Sequence, residues 1–328
     1  MRILVTGGAG YIGAHTVKAL VARKYEVVVL DTLEKGHRGL IPAGVELMVG
    51  NSADVNLLDN LFSSQKIDAV IHFAGYKAAG ESVEQPAKYF RNNVTATQTL
   101  LESMVRNEVR YLIFSSSCSV FGNPQNMPVA EDNNPYNPES PYAESKLMVE
   151  KMLSWFDRAY GLKSVSLRYF NAAGADPDGT IGEDWSVTLN LIPLVMKAAA
   201  GVSTSVQVFG TDYSTPDGTA IRDYIHVNDL ADAHILALEN VQKTNQTTVY
   251  NLGTGKGSSV KEIIDTTRRI TGRDIVAVER PRRPGDPMAI WADNSKAKRE
   301  LGWQPRYGLE EIIRTAWDWH SKHPNGLQ

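Results

Sequence analysis

The chain has 328 residues, 42% hydrophobic and 22% charged, with a formal net charge of −3. That length suits two domains, or one large domain with a smaller one built onto it. The charge balance, with no long run of either sign, argues against nucleic acid or an anionic membrane as a partner. A single cysteine, Cys118, rules out an internal disulfide framework and a cysteine metal cluster, so no metal is expected. No window approaches the roughly 18 apolar residues of a membrane span, and no separate apolar segment precedes residue 3. The expectation is a soluble, cytoplasmic protein.

Residues 3–5 form a short apolar run of the kind found in buried parallel strands. They lead into Thr6-Gly7-Gly8-Ala9-Gly10-Tyr11-Ile12-Gly13 and then a helical pattern over 15–23. Gly7, Gly10 and Gly13 allow a tight turn and close approach of a ligand, and the helix start offers free N–H groups to a pyrophosphate. A second strand over 27–30 ends at Asp31, 18 residues after Gly13. A carboxylate there can accept hydrogen bonds from the adenosine ribose and repels a 2′-phosphate, favouring NAD over NADP. Strand, glycines, helix, strand and acid in this order predict dinucleotide binding.

The alternation continues with strands over 45–49, 68–75 and 111–115 and helices over 56–62 and 92–105. Repeated strand–helix units predict an α/β fold, a doubly wound parallel Rossmann-type sheet with ligands outside the C-terminal strand ends. Ser115 and Ser117 fall at such an end. The following helix should start at Ser140 as N-cap with Pro141 at its first position, and stop at Gly161. Tyr142 and Lys146 lie four apart on it, so phenol and ammonium can share one face. A nearby cation favours the phenolate, which makes Tyr142 a candidate base and Lys146 the group that keeps it acidic.

Beyond residue 170 the chain should build a smaller α/β substrate lobe, 171–328, against a Rossmann domain of 1–170, with segments near 210–250 crossing between them. Helices are expected over 189–200, from Asn228 or Asp229 to Leu238, from Ser259 to before Gly272, over 294–301 and over 309–320. Strands are expected over 206–209, 249–252 and 275–279, a loop over 211–220 and a proline-stiffened basic turn over 280–286.

Residues 6–13, Phe73-Ala74-Gly75, Ser115-Ser116-Ser117 and the Tyr142/Lys146 pair together resemble the extended short-chain dehydrogenase/reductase superfamily. Residues 72–82, Leu167-Arg168-Tyr169-Phe170-Asn171 and Arg222-Asp223-Tyr224-Ile225-His226-Val227 narrow the resemblance to the UDP-galactose 4-epimerases, over nearly the whole chain. The resemblance implies a transient C4 oxidation of a UDP-hexose by tightly bound NAD. Tyr142, Lys146 and Ser117 would be catalytic. The cofactor set would be Gly7, Gly10, Tyr11, Ile12, Gly13, Asp31, Asn51, Ser52, Phe73, Ala74, Gly75, Lys77, Asn92, Ser115, Tyr142, Lys146 and Tyr169. The substrate set would be Lys77, Ser117, Tyr142, Asn171, Asn190, Leu191, Val208, Phe209, Arg222, Arg283, Asp286 and Ile290. Within it, Arg222 and Arg283 would clamp the diphosphate, Asp286 bond the uridine ribose, and Phe209 stack near uracil.

Two departures stand out. Asn51 replaces the usual acid near adenine. Ile290 stands where a large tyrosine in this family excludes a 2-N-acetyl group, so N-acetylated UDP-hexoses should also be accepted. A 4,6-dehydratase would need adjacent acid and base where Cys118 and Ser119 stand, decarboxylases and reductases lack a specific signal, and retention of Tyr142, Lys146 and Ser117 together counts against a non-catalytic NAD sensor. The resemblance also implies a homodimer joined through the helices at 92–105 and 144–160.

Overall fold

A computed structural model describes residues 1–133, 135–186, 188–283 and 286–327. The chain first lays down β1 (Arg2–Thr6), α1 (Tyr11–Ala22), β2 (Glu26–Asp31), β3 (Glu46–Val49), α2 (Val55–Ser64) and β4 (Ala69–His72). Two short helices, α3 (Ala79–Glu84) and α4 (Pro86–Tyr89), precede α5 (Ala96–Arg106), β5 (Tyr111–Ser115), α6 (Pro141–Tyr160) and β6 (Lys163–Tyr169). The main sheet has seven strands, in the order Thr248–Leu252, β6, β5, β4, β1, β2, β3, and every neighbouring pair is parallel. The chain winds one way from β1 to β3 and the other way from β4 onward, so the crevice between β1 and β4 is the switch point where ligands bind.

Side chains alternate along each strand, so the sheet has two apolar faces. Ile3, Val5, Val29, Ile71, Ile113 and Val165 pack against Val17 and Leu20 of α1 and against Leu230 and Leu238 of the helix Val227–Thr244. Leu4, Val28, Val70, Leu112 and Phe114 pack on the other face against α2, α5 and α6 through Leu58, Leu61, Leu100, Met104, Val149 and Leu153. A separate core joins the helices Leu191–Ala199, Val260–Thr271 and Leu309–His320 through Ile192, Val195, Ile263, Ile264, Ile312 and Ile313. Three small sheets accompany it: Asn171–Ala173 with Tyr224–His226, Val206–Phe209 with Ala277–Arg280, and Ile221–Arg222 between Ser258–Ser259 and Ala289–Ile290.

Several expected boundaries hold. Ser140 Oγ accepts from Ala143 N at 3.2 Å, Pro141 opens α6, and Gly161 ends it at φ 68°. Ser259 and Glu262 form a reciprocal capping box, with Gly272 closing that helix. Others move. The helix expected from Asn228 or Asp229 to Leu238 runs Val227–Thr244, and its cap is His226, whose Nδ1 accepts from Asn228 N at 3.1 Å. The helix expected over 92–105 starts as a wide π turn, Phe90–Thr95, before α5. Of the basic turn over 280–286, positions 284–285 lie outside the described residues. No helix among the described residues is long and apolar enough to cross a membrane.

Candidate active site

The glycine turn joins β1 to α1. Gly7 has φ 70°, and a Cβ built there would lie 2.6 Å from Ala74 N, so the turn is pressed against the loop after β4. A Cβ on Gly13 would lie 2.2 Å from Gly7 O, which holds α1 tight to the turn. Gly10 at the N-cap has no side chain to spend on the helix, leaving the first N–H groups of α1 without a side-chain cap. Asp31 is buried at the end of β2, with its oxygens accepting from Ala9 N at 3.0 Å and Leu33 N at 2.8 Å. An uncapped helix start beside a buried carboxylate suits a dinucleotide pyrophosphate and its adenosine ribose. NAD therefore fits the residues present.

The rest of the expected cofactor set borders this cradle in part. Tyr11 donates to Gly174 O at 2.5 Å. Phe73 packs its ring 4.6 Å from that of His234, and Gly75 faces the Asn93 side chain. Ser52 is buried, whereas Asn51 is exposed and its Oδ1 accepts from Ala53 N at 2.9 Å in an Asx turn. Asn92 is half-buried and donates to Asn93 Oδ1. Asn93 is the buried member of the pair: it holds both backbone polar groups of Tyr76 and donates to Ser145 Oγ at 3.1 Å.

Ser117, Tyr142 and Lys146 converge at the C-terminal end of β5. The Tyr142 phenol is close enough to Ser117 for that hydroxyl to lower its pKa, and Ser117 Oγ accepts from Ser119 N and Ser119 Oγ at 3.2 and 2.9 Å. Tyr142 N donates to the buried Ser82 Oγ at 3.1 Å, which fixes the start of α6 against α3. Lys146 is buried and donates to Ser115 O at 2.8 Å; its Nζ is 5.9 Å from the Tyr142 ring centre. Ser115 Oγ and Tyr169 Oη are 2.6 Å apart.

The electrostatics differ from the simple phenol–ammonium picture. Burial pushes the Tyr142 phenol well above its ordinary value, the neighbouring Tyr169 adds to this, and the Ser117 hydroxyl opposes it. Burial also lowers Lys146 to about 8, against the pull of Glu150. The ammonium's hydrogen bond goes to a backbone carbonyl, so within the protein alone desolvation outweighs its help to the phenol. Cys118 beside them is half-buried, and burial drives its thiol up to about 12, away from the thiolate form a nucleophile needs.

On the other side of the cleft, Arg222 pairs with Asp286 at 3.1 Å and donates to Ile221 O at 2.8 Å. The Arg283 guanidinium lies 3.8 Å over the centre of the Phe209 ring. Val208, expected on the substrate, alternates with Phe209 and turns its side chain into the apolar core, so only its backbone can face the cleft. Ile290 pairs in register with Arg222 and is buried against Val120, Phe121, Leu147 and Phe170. Cys118 packs on the same apolar cluster as Ile290, tying this cluster to the Ser117 end of β5. Asn171 N donates to Asp223 O at 2.9 Å. Asn190 donates to Glu183 at 3.0 Å, Leu191 begins the next helix, and Lys77 sits 3.6 Å from the same carboxylate. Sequence reasoning misses Ser82, Asn93, Glu150 and Glu183. Only Ser82 lies within a quoted motif, and the others become visible through their hydrogen bonds. No group of three or more His, Cys, Asp or Glu among the described residues could hold a metal ion.

Residues 3–253 match the model of the NAD dependent epimerase/dehydratase family. The chain is 50% identical to a UDP-glucose 4-epimerase of Halalkalibacterium halodurans, over 99% of this chain and 97% of the relative. The crystal structure of UDP-glucose 4-epimerase from Brucella ovis in complex with NAD superposes with a TM-score of 0.95 at 45% identity, covering 98% of each chain. That from Bifidobacterium longum in complex with NAD+ and UDP gives 0.94 at 40%, covering 100% of each. A UDP-Glc/GlcNAc 4-epimerase from Campylobacter jejuni gives 0.86 at 39%, covering 98% of this chain and 99% of that one.

Proposed function

The chain belongs to the NAD-dependent epimerase/dehydratase family, and from that premise we propose that it interconverts UDP-galactose and UDP-glucose. The observation that carries this reading is the convergence of Tyr142, Ser117 and Lys146 beside a glycine cradle ending in Asp31. The chemistry NAD supplies when bound is acceptance and return of the hydride from sugar C4. Tyr142 takes the proton of the 4-hydroxyl and later gives it back, and Ser117 beside it orients the hydroxyl and relays that proton. A buried neutral phenol needs added positive charge nearby to ionise, and Lys146 on Ser115 O supplies one such charge at the floor of the site. Arg222 and Arg283 grip the diphosphate and Phe209 borders the uracil, so the nucleotide is held firmly. The hexose is held loosely enough to turn and present its other face. Asp286, already on Arg222, is suited to the uridine ribose.

A dehydratase reading finds no acid and base after β5, where Cys118 and Ser119 stand. Ile290 supports a wider substrate range. It is shorter than tyrosine and pairs in register with Arg222, and on that substitution UDP-N-acetylglucosamine and UDP-N-acetylgalactosamine are substrates as well. An undetectable rate on UDP-N-acetylgalactosamine would remove that part alone. We also infer a homodimer through α5 and α6. Trp155 of α6 is 65% exposed, and Met148 is exposed two turns earlier on the same face. Sedimentation at micromolar concentration tests it, and a monomer refutes it.

The test of the main reading is formation of UDP-glucose from UDP-galactose by purified protein without added NAD. Tyr142→Phe should lower kcat by about 10²–10⁴-fold with folding and NAD content intact. Protein that neither turns over UDP-galactose nor carries a dinucleotide refutes the reading.

A further inference from the structure

Glu183 is a buried carboxylate to which nothing so far assigns a chemical task. It is 6% exposed, in the segment between the strand Asn171–Ala173 and the helix Leu191–Ala199. Its backbone is held firmly: Trp319 Nε1 donates to Glu183 O at 3.0 Å, and a Cβ on the preceding Gly182 would lie 2.3 Å from Trp319 Cγ, so the segment lies flush against the indole. From that anchor the side chain meets groups from separate parts of the chain. Asn190 Nδ2 donates to Oε1 at 3.0 Å, Thr188 Oγ1 at 3.4 Å, and Lys77 Nζ stands at 3.6 Å. Its charge also raises the buried phenol of Tyr11, in the first turn of α1.

We propose that Glu183 is a positioning residue for the sugar nucleotide, its carboxylate fixing the Lys77 ammonium and the Asn190 amide where cofactor cradle and substrate cleft meet. A carboxylate withdrawn from water is costly unless it is paired. Burial does push Glu183 above the usual carboxylate range, with Lys77 and Asn190 opposing that rise. The pairing serves the partners more than the carboxylate. The Lys77 side chain is 69% exposed, so without an anchor its four-carbon stem would sample many rotamers, and ordering it on binding would cost entropy. Asn190 occupies the N-cap position of its helix yet makes no capping bond, because its amide is turned to Glu183. One acid therefore sets two polar groups from separate segments of the chain before any ligand arrives, which lowers the ordering cost of binding.

The inference rests on the epimerase reading, and its test separates the two. In NAD-loaded enzyme, Glu183→Gln keeps the volume and an acceptor for Asn190 but removes the charge that holds Lys77. We expect the KM for UDP-galactose and the calorimetric Kd for UDP to rise about tenfold, with kcat changed by less than about threefold. Lys77→Ala should raise the KM and the Kd for UDP by at least as much, and in that background Glu183→Gln should add less than about twofold to either, because its partner is gone. A merely structural acid would instead lower the melting temperature and act independently of Lys77. Unchanged KM and Kd in Glu183→Gln, or an equal effect in both backgrounds, overturns the proposal. Wild-type enzyme inert toward UDP-galactose and UDP sinks the epimerase reading itself.

Discussion

Replacing Glu150 by glutamine should loosen the floor of the active site. Glu150 lies one turn after Lys146 on α6, and its carboxylate receives Arg168 Nε at 2.9 Å, Arg168 Nη2 at 2.5 Å and Ser116 Oγ at 2.5 Å. The Arg168 side chain is 3% exposed, between the rings of Phe121 at 5.0 Å and Tyr136 at 4.6 Å. Glutamine would leave that guanidinium buried against an uncharged amide. Removing one partner of a buried pair costs about 3–5 kcal/mol, and because the amide still accepts one bond we take about 3 kcal/mol. At roughly 2 °C per kcal/mol for a chain of this size, melting should fall by about 6 °C. Removing both charges, as in Glu150→Leu with Arg168→Met, should recover most of the loss.

The same substitution has a kinetic signature. Lys146 is already lowered to about 8 by burial, with Glu150 the charge that opposes the fall. Without it, the ammonium gives up its proton at a lower pH. Activity that needs the ammonium is present below the folded pKa and lost as pH rises through it, so the alkaline limb of kcat/KM should move to lower pH. Thermal melts and a pH–rate profile on wild type, E150Q and the double variant measure both effects. An E150Q protein that melts within about 1 °C of wild type and keeps its alkaline limb would refute the reasoning.

Gly13→Ala drives a Cβ to 2.2 Å from the Gly7 carbonyl, a backbone group that cannot rotate away. The purified variant should carry no NAD in the supernatant after denaturation, and wild-type NAD content would contradict this. Cys118, pushed up to about 12, is thiolate to only about one part in ten thousand at pH 8. Ellman's reagent should leave the native protein unlabelled and react once guanidinium unfolds it; prompt native labelling would show the thiol to be open. Ser259→Ala removes the acceptor for Glu262 N at 3.0 Å and should cost about 1 kcal/mol, or roughly 2 °C, with NAD content unchanged.

The turn from β1 to α1, Asp31 and both ends of α6 can be read from the sequence because each depends on local chemistry: glycine geometry, strand-end position, a serine cap, a proline and a left-handed glycine. β6 is harder to see. Its Ser164, Ser166 and Arg168 are all buried, so the polar residues suggest an exposed face that does not exist. The burial of Arg168 depends on Glu150, which no pattern within 163–169 reveals. The position of the Lys146 ammonium is likewise tertiary. Helix spacing brings it near Tyr142, but the carbonyl that captures it belongs to β5. Val208 shows the reverse, a motif neighbour whose strand parity sends its side chain away from the cleft. The His226 cap escapes notice because histidine is not a customary capping residue.

The seventh strand of the main sheet has a consequence for biosynthesis. β6 is complete at position 169, yet the strand that covers its outer edge starts only at position 248. While the intervening chain is being made, that edge offers unpaired N–H and C=O groups to any neighbouring polypeptide. A nascent chain halted in this interval, or a gene fragment cut there, should be a client for chaperones and prone to aggregate. Fragments ending after position 252 regain the missing strand and should be markedly better behaved in expression trials.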